Sequence, residues 1–369
     1  MSRLKLNELE LSDVSLEFPL YESLYLYFTY LYAMPMPYNP SFQTTPHLLK
    51  ILEEIAALNA RIQGASIGVS WMPSLQRDAA ARQAHGSTAI EGNPLTLQEV
   101  KVLAEGGSLP HAKPRSVQEV LNYFAALRFI TDKAKAKEVH VRDVLKIHSI
   151  IGQKGALDRE PIGLFRPYAV RVGDHLPPPA KEIPGLMAEL LDWINGPGRA
   201  WPAVVSSAAL HYQSEFIHPF GDGNGRVGRA LAAWELNRRQ FDTHHIFAVD
   251  EVLLEDRQSY YRAFHRTQNE KHDLTGWIEF IAEAINETLN RVWKRIESVS
   301  ASVKGKPLTL TPKQEKLLAI LRRQALGIHD IQKALGVTKP GAHHILKPLL
   351  EAGLVQREGG HKTGKYRMA

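Results

Sequence analysis

The chain has 369 residues, 44% of them apolar and 23% charged, and no cysteine; it is long enough for two to three domains with a sizeable core, while disulfides, thiolate metal sites and a cysteine nucleophile are excluded. A reducing, cytoplasmic setting is therefore expected. The net charge of +6 is unevenly placed, because residues 302–369 hold 13 Lys or Arg against 4 Asp or Glu and leave the rest of the chain slightly acidic.

Residues 20–36 are apolar and rich in tyrosine, but Glu22 interrupts them and the uninterrupted run is too short for a membrane span. Nothing frames them as a signal peptide, so no membrane anchor is expected. Translation starting at Met34 or Met36 would leave the earlier residues without a role, and residues 1–45 are read as an N-terminal segment of no assigned function. From 46 to 62 apolar residues recur at i, i+3, i+4 and i+7, which predicts an amphipathic helix. A second helix is expected from Pro73, suited to a first turn, to a stop at Gly92. Near its end stands Ser87-Thr88-Ala89-Ile90-Glu91-Gly92. Further helices are predicted at 95–103, 116–134, 141–151, 181–194, 204–217, 229–239 and 272–299. The only convincing strand material is 169–176, expected as a short exposed hairpin turning near Gly173-Asp174. Gly305-Lys306-Pro307 marks a boundary before the tail.

Between the helices at 204–217 and 229–239 lies His218-Pro219-Phe220-Gly221-Asp222-Gly223-Asn224-Gly225-Arg226-Val227-Gly228-Arg229. Gly221, Gly223 and Gly225 are expected to take positive φ and expose successive N–H groups beside a helix N-terminus, an arrangement suited to an anion. His218 titrates near neutrality and suits a general base. Asp222 is a hard oxygen ligand for a Mg²⁺ carried in with phosphates. Arg226 and Arg229, three apart, share a helical face and suit phosphate oxygens, and the Asn224 amide offers a further donor. The stretch is not a P-loop, which needs GxxxxGK[ST] after a strand. A polar capping loop with surface arginines and a core histidine remains the plainer alternative.

These residues fit the pattern HxFx(D/E)GNGRxxR of the Fic family, and the resemblance extends from about 46 to 287. It implies a mainly α fold: a Fic-type helical bundle with one β-hairpin flap, divided into an N-terminal helical region (46–112) and a catalytic core (113–300). It also implies transfer of AMP from ATP to a Tyr, Ser or Thr hydroxyl of a target protein, itself included, with release of pyrophosphate. His218 would be the base and Asp222 the Mg²⁺ ligand. Gly223, Asn224, Gly225, Arg226, Val227 and Gly228 would hold the phosphates, and Arg229 the γ-phosphate. Val172, Gly173, Asp174 and His175 would form the flap beside nucleotide and target. Tyr260, Tyr261 and Gln268 resemble positions lining the adenine pocket, with ordinary helix packing as the alternative.

Ser87 to Gly92 resembles the family's inhibitory pattern [S/T]xxxE[G/N]. It implies that Glu91 pairs with Arg229, bidentate and sheltered, and so restrains the enzyme; in some relatives the same glutamate serves removal of AMP, leaving a bifunctional enzyme open. Residues 307–369, with helices predicted at 311–325, 328–335 and 339–352 and a glycine-tipped strand pair, resemble a winged helix-turn-helix domain. His343, His344 and Lys347, with Lys362, Lys365 and Arg367 on the wing, would then face DNA, although Pro348 is expected to interrupt the recognition helix. Dimerisation or substrate docking is the other reading of the tail, and a nucleotide-sensing transcriptional regulator the other reading of the whole chain.

Overall fold

The computed structural model describes residues 38–65, 71–158, 161–173, 175–302, 311–321, 324–351, 354–358 and 364–368. The readings for residues 20–36, Asp174, Gly305-Lys306-Pro307 and Lys362 lie outside them. The chain divides after Tyr38, and the described helices and strands belong to the unit from Asn39 onward.

Helix α1 (Pro46–Gly64) starts where Thr45 accepts a hydrogen bond from the Leu48 N–H and Pro46 occupies the first turn. Its stripe of Leu48, Ile51, Ile55 and Ile62 is buried. Helix α2 (Met72–Ile90) is stopped by Gly92 at φ +93°, and Asn93 N–H reaches back to Thr88 C=O at 3.0 Å, which places Glu91 on the helix end. Helices α3 (Leu97–Ala104), α4 (Pro114–Asp132), α5 (Val141–Ile151) and α6 (Ile183–Asn195) come next. The centre is built by α7 (Ala203–Ile217) and α8 (Asn224–Arg238), which pack on each other and are buried on nearly every side. A helix enclosed in this way has little amphipathic pattern, and its sequence signal is overall apolarity. Helices α9 (Val249–Glu255), α10 (Arg257–Asn269) and α11 (Thr275–Ser302) close the bundle, α11 lying along α1. Trp277 of α11 is buried and donates from its indole to Ala208 C=O.

The C-terminal residues have their own core. Helices α12 (Pro312–Leu321), α13 (Ile328–Leu335) and α14 (Lys339–Glu351) pack with a sheet in the order β1 (Leu326–Gly327), β3 (Lys365–Met368), β2 (Val355–Glu358), antiparallel throughout. This is a winged helix-turn-helix arrangement, with α13 capped by Gly336 at φ +62°.

Several sequence expectations are corrected. The helix predicted to begin at Arg229 begins at Asn224, so Gly225 and Gly228 are helical, not loop. Of the three glycines expected at positive φ, Gly223 alone adopts it, and His218 takes the other left-handed position. The predicted hairpin is a single antiparallel bridge, Val172 to His175, with both hydrogen bonds at 3.0 Å. Prolines 177–179 come at once after it and cannot donate to a longer ladder. The last long helix starts at Thr275 because Lys271 and His272 adopt positive φ. Pro348 does not interrupt α14: it removes one helical hydrogen bond, at about 3 kcal/mol, while buried Leu346 and Leu349 on either side offset this at roughly 1.5–3 kcal/mol each. Among the described residues no helix is long and apolar enough to cross a membrane.

Candidate functional site

The loop between α7 and α8 places its parts by backbone geometry. His218 caps α7 in the left-handed conformation, φ +49° and ψ +60°, and Gly223 opens α8 at φ +83°. The first helical bond of α8 runs from Val227 N–H to Gly223 C=O at 3.0 Å, so the N–H groups of Asn224, Gly225 and Arg226 make no bond within the helix. Helix dipole and free amides together make this terminus attractive to anions. The buried Arg226 Nε also has no hydrogen-bond partner. Its Nη2 donates to Asp222 Oδ1 at 3.3 Å.

Asn224 does something other than the expected donation to a phosphate. Its Oδ1 accepts from Phe220 N–H and its Nδ2 donates to Phe220 C=O, both at 2.9 Å, so the amide is spent on shaping the loop. Asp222 accepts from Asp158 N–H at 2.8 Å and from Gly223 N–H at 2.5 Å. It is half-buried, and among the described residues no group of three or more metal-ligating side chains surrounds it. A single carboxylate of this kind fits Mg²⁺ that brings phosphate oxygens as its other ligands, and does not fit a metal held by protein alone.

Burial lowers His218 to about 4, overriding its hydrogen bond to the Glu215 carbonyl, so the ring is neutral around pH 7. The peptide that carries it is held by Arg166, which sequence reasoning missed. Arg166 is 1% exposed; its Nε donates to His218 C=O at 2.8 Å, and its other groups reach Tyr168 C=O at 2.6 Å and Pro178 C=O at 2.7 Å. One buried guanidinium thus ties the loop to both ends of the Val172–His175 turn. Val172 is exposed, and His175 Nε2 lies 2.9 Å from Phe216 C=O. A second missed residue is His148 of α5. It stacks on Phe220 at 3.8 Å, accepts from Gly163 N–H at 2.9 Å and donates from Nε2 to Asp222 C=O at 3.0 Å. Burial lowers it to about 4 and keeps it neutral.

Arg229, 2% exposed, is met by the end of α2. Its Nη2 donates to Glu91 Oε1 at 2.7 Å and to Ser87 C=O at 2.9 Å, and its Nε donates to Ser87 Oγ at 2.9 Å. The expected bidentate pair is a single contact, and Ser87 occupies the Nε side of the guanidinium. The Glu91 side chain is 31% exposed and only partly sheltered. Burial works to raise the Glu91 carboxyl, but Arg229 holds it below its ordinary value. A third missed residue, Asp250 of α9, stands 3.7 Å from Arg229 Nε and accepts from Tyr123 Oη at 3.1 Å. Helices α2 and α9 cross closely at Gly86, where a Cβ would lie 2.4 Å from Asp250 C=O.

Gly225 leaves room for the carboxylate: a Cβ there would lie 2.2 Å from Glu91 Oε1. Val227 and Gly228 are buried in α8 and present no polar side chain. Tyr260 is buried with its hydroxyl 3.0 Å from His211 Nε2, as packing would have it. Tyr261 is partly exposed and reaches Ile90 C=O at 3.4 Å, beside Glu91. Gln268 leaves Nε2 buried without a partner and Oε1 3.2 Å from His265 Nδ1.

Comparison with known proteins bears on this arrangement. Residues 138–236 match the Fic/DOC family and residues 316–359 the IclR helix-turn-helix domain. Proteins named protein adenylyltransferase are similar: one from Caenorhabditis briggsae is 29% identical over 63% of this chain, and one from Drosophila willistoni 28% identical over 70%. The chain spans about half the length of these curated relatives, 45% and 53% respectively. A solved Fic family protein from Desulfovibrio desulfuricans has a TM-score of 0.61 at 28% identity, covering 90% of this chain and 98% of its own.

Proposed function

We propose that this chain, which carries a Fic domain over residues 138–236, is a protein adenylyltransferase that moves AMP from ATP to a hydroxyl of a target protein. In this reading residues 46–112 carry a regulatory motif, 113–300 the catalytic core and 307–369 a winged helix-turn-helix domain. The observation that carries it is the convergence of a neutral imidazole with three amides free of helical bonds and two buried arginines where the loop enters α8. The triphosphate lies over the N-terminus of α8, with Arg226 on its oxygens and Arg229 on the terminal phosphate. The target hydroxyl attacks the α-phosphorus and gives its proton to the neutral His218 ring. The bond to the β-phosphate oxygen breaks, and pyrophosphate leaves with the electron pair. Asp222 would hold Mg²⁺, which supplies charge neutralisation for the phosphates. Little covalent chemistry falls to the protein, so positioning and charge stabilisation carry the rate.

Glu91 occupies the arginine that the terminal phosphate needs, so the resting enzyme restrains itself. Val172 and Gly173 are exposed at this turn, where an extended target segment aligns. His343, His344 and Lys347 are exposed along α14, which suits the tail to a DNA groove. One variant tests the reading. His218→Ala retains ATP binding by calorimetry and loses transfer, read as a mass increment of one AMP on target or enzyme; transfer at the parent rate removes His218 as the base.

A further inference from the structure

Gly225 and Gly228 stand three residues apart on α8 and share a face. Each has a carboxyl oxygen where its Cβ would be: Glu91 Oε1 lies 2.2 Å from that position at Gly225, and Glu215 Oε1 lies 2.4 Å from it at Gly228. Two carboxyls thus rest on one strip of bare backbone, Glu91 from the end of α2 and Glu215 from the last turn of α7. Their circumstances differ. Glu91 has Arg229, whereas Glu215 Oε1 is sealed from solvent with no hydrogen-bond partner. The nearby Ser214 hydroxyl donates elsewhere, to His211 C=O at 2.9 Å. The transfer mechanism gives Glu215 no work.

We propose that Glu215 contacts the bound nucleotide, donating a carboxyl O–H to an oxygen of the phosphate chain that takes Glu91's place on the glycine strip. Only the identity of the ligand rests on the adenylyltransferase reading. A carboxylate here would repel phosphate, while a neutral acid donates to it, as buried carboxylic acids do at other anion-stabilising sites. Burial pushes Glu215 up to about 8; Arg229 opposes this and the Glu91 charge adds to it. A phosphate chain replacing Glu91 is again anionic and keeps the proton on. The groups that face the two carboxyls are His218 at the end of α7, Asp222 on the loop, Arg226 and Arg229 from α8 and Tyr260 from α10, with His211 from α7 and Asp250 from α9 beside Arg229. Burial lowers His211 to about 3 and raises Tyr260 well above its ordinary value. Glu91 and Arg229 stay charged, and burial raises Asp250 while Arg229 opposes it. Glu215, raised to about 8, changes charge near that pH.

The test is calorimetric titration with Mg-ATP in the Glu91→Gly background, alone and with Glu215→Gln or Glu215→Ala, at about pH 7 and about pH 9. The amide of Glu215→Gln still donates, so its affinity at the lower pH stays within about threefold of the parent and does not change with pH. Glu215→Ala binds about tenfold more weakly, as expected for a lost hydrogen bond to a charged group. The parent loses about tenfold between the two pH values, as expected when the donor becomes a like charge. Parent-like binding by Glu215→Ala, or the same pH loss in Glu215→Gln, overturns the proposal while leaving the adenylyltransferase reading intact. No ATP binding by the Glu91→Gly parent at either pH overturns both.

Discussion

Arg229 Nη2 donates to Glu91 Oε1 at 2.7 Å across 138 residues of sequence, and this single contact is the whole of Glu91's hold on the arginine. Arg229 also donates twice to Ser87, one turn before Glu91 on the same helix, and stands 3.7 Å from Asp250 Oδ2. Removing the Glu91 side chain therefore frees the arginine without undoing its orientation. A hydrogen bond to a charged group contributes about 1.5–3 kcal/mol, and the partial exposure of Glu91 argues for the lower half. Glu91→Gly should raise AMP transfer about ten- to fiftyfold, measured as initial rate at fixed ATP. An unchanged rate would falsify self-restraint.

Gly225→Ala separates freeing the arginine from restoring activity. In a helix interior alanine is ordinarily favoured over glycine by about 1 kcal/mol, yet here its methyl would lie 2.2 Å from Glu91 Oε1 and 3.0 Å from Arg229 Nη1. It evicts the carboxylate and blocks a phosphate at the same place. The variant should fold and show no gain in transfer, with ATP affinity down at least about tenfold by calorimetry. Activity equal to Glu91→Gly would contradict the proposed seat of the terminal phosphate.

Asp250 gives Arg229 a second anion that does not leave. Either carboxylate alone still neutralises the buried guanidinium, and loss of both strands it. A double-mutant cycle of Glu91→Gly with Asp250→Asn should show a coupling of about 1 kcal/mol or more in unfolding free energy, beyond the sum of the single changes. Simple additivity would remove Asp250 as counter-ion.

His148 predicts an acid limb in stability. Its folded value is lowered to about 4 from an ordinary 6.5, by burial. The unfolded chain therefore takes up the proton first. The stability this contributes is complete above about pH 6.5 and is lost as pH falls through about 4. His148→Gln, which cannot ionise, should have a lower Tm near pH 7 but a shallower decline over that window. Parallel declines would indicate that His148 is not the titrating group.

Glu215 predicts the opposite slope. Its folded value is raised to about 8 from 4.5, so stability present below about pH 4.5 is lost as pH rises through 8. The Tm advantage of Glu215→Gln over the parent should grow across that range and then level off. A constant difference would mean that the carboxyl ionises as in water.

Much of the site was legible because it is written as contiguous spacing. His218, Asp222, Gly223, Arg226 and Arg229 fall within twelve residues, and Ser87 to Gly92 within six. Which glycine turns the chain was not legible. Positive φ falls on His218 and Gly223, while Gly225 and Gly228 serve close approach inside a helix, and sequence alone does not distinguish these two uses of a missing Cβ. Arg166 and His148 escaped notice because their partners are backbone carbonyls and amides more than fifty residues away or across a loop, which leave no residue pattern. Asp250 was hidden with α9, a helix of seven residues too short to establish a period. In the tail the helices were legible by period, but β1 is two residues long and its pairing with β3 depends on register across forty residues.

In the proposed reaction this loop delivers the α-phosphate of ATP to a protein hydroxyl once Glu91 is removed. The most direct measurement incubates Glu91→Gly protein, alone and with cell lysate, with ATP labelled at either the α- or the γ-phosphate, and reads protein-bound label. Label is expected from the α position only, and is absent when His218→Ala is added. Label from the γ position, or none from either in protein that binds ATP, would contradict the claim.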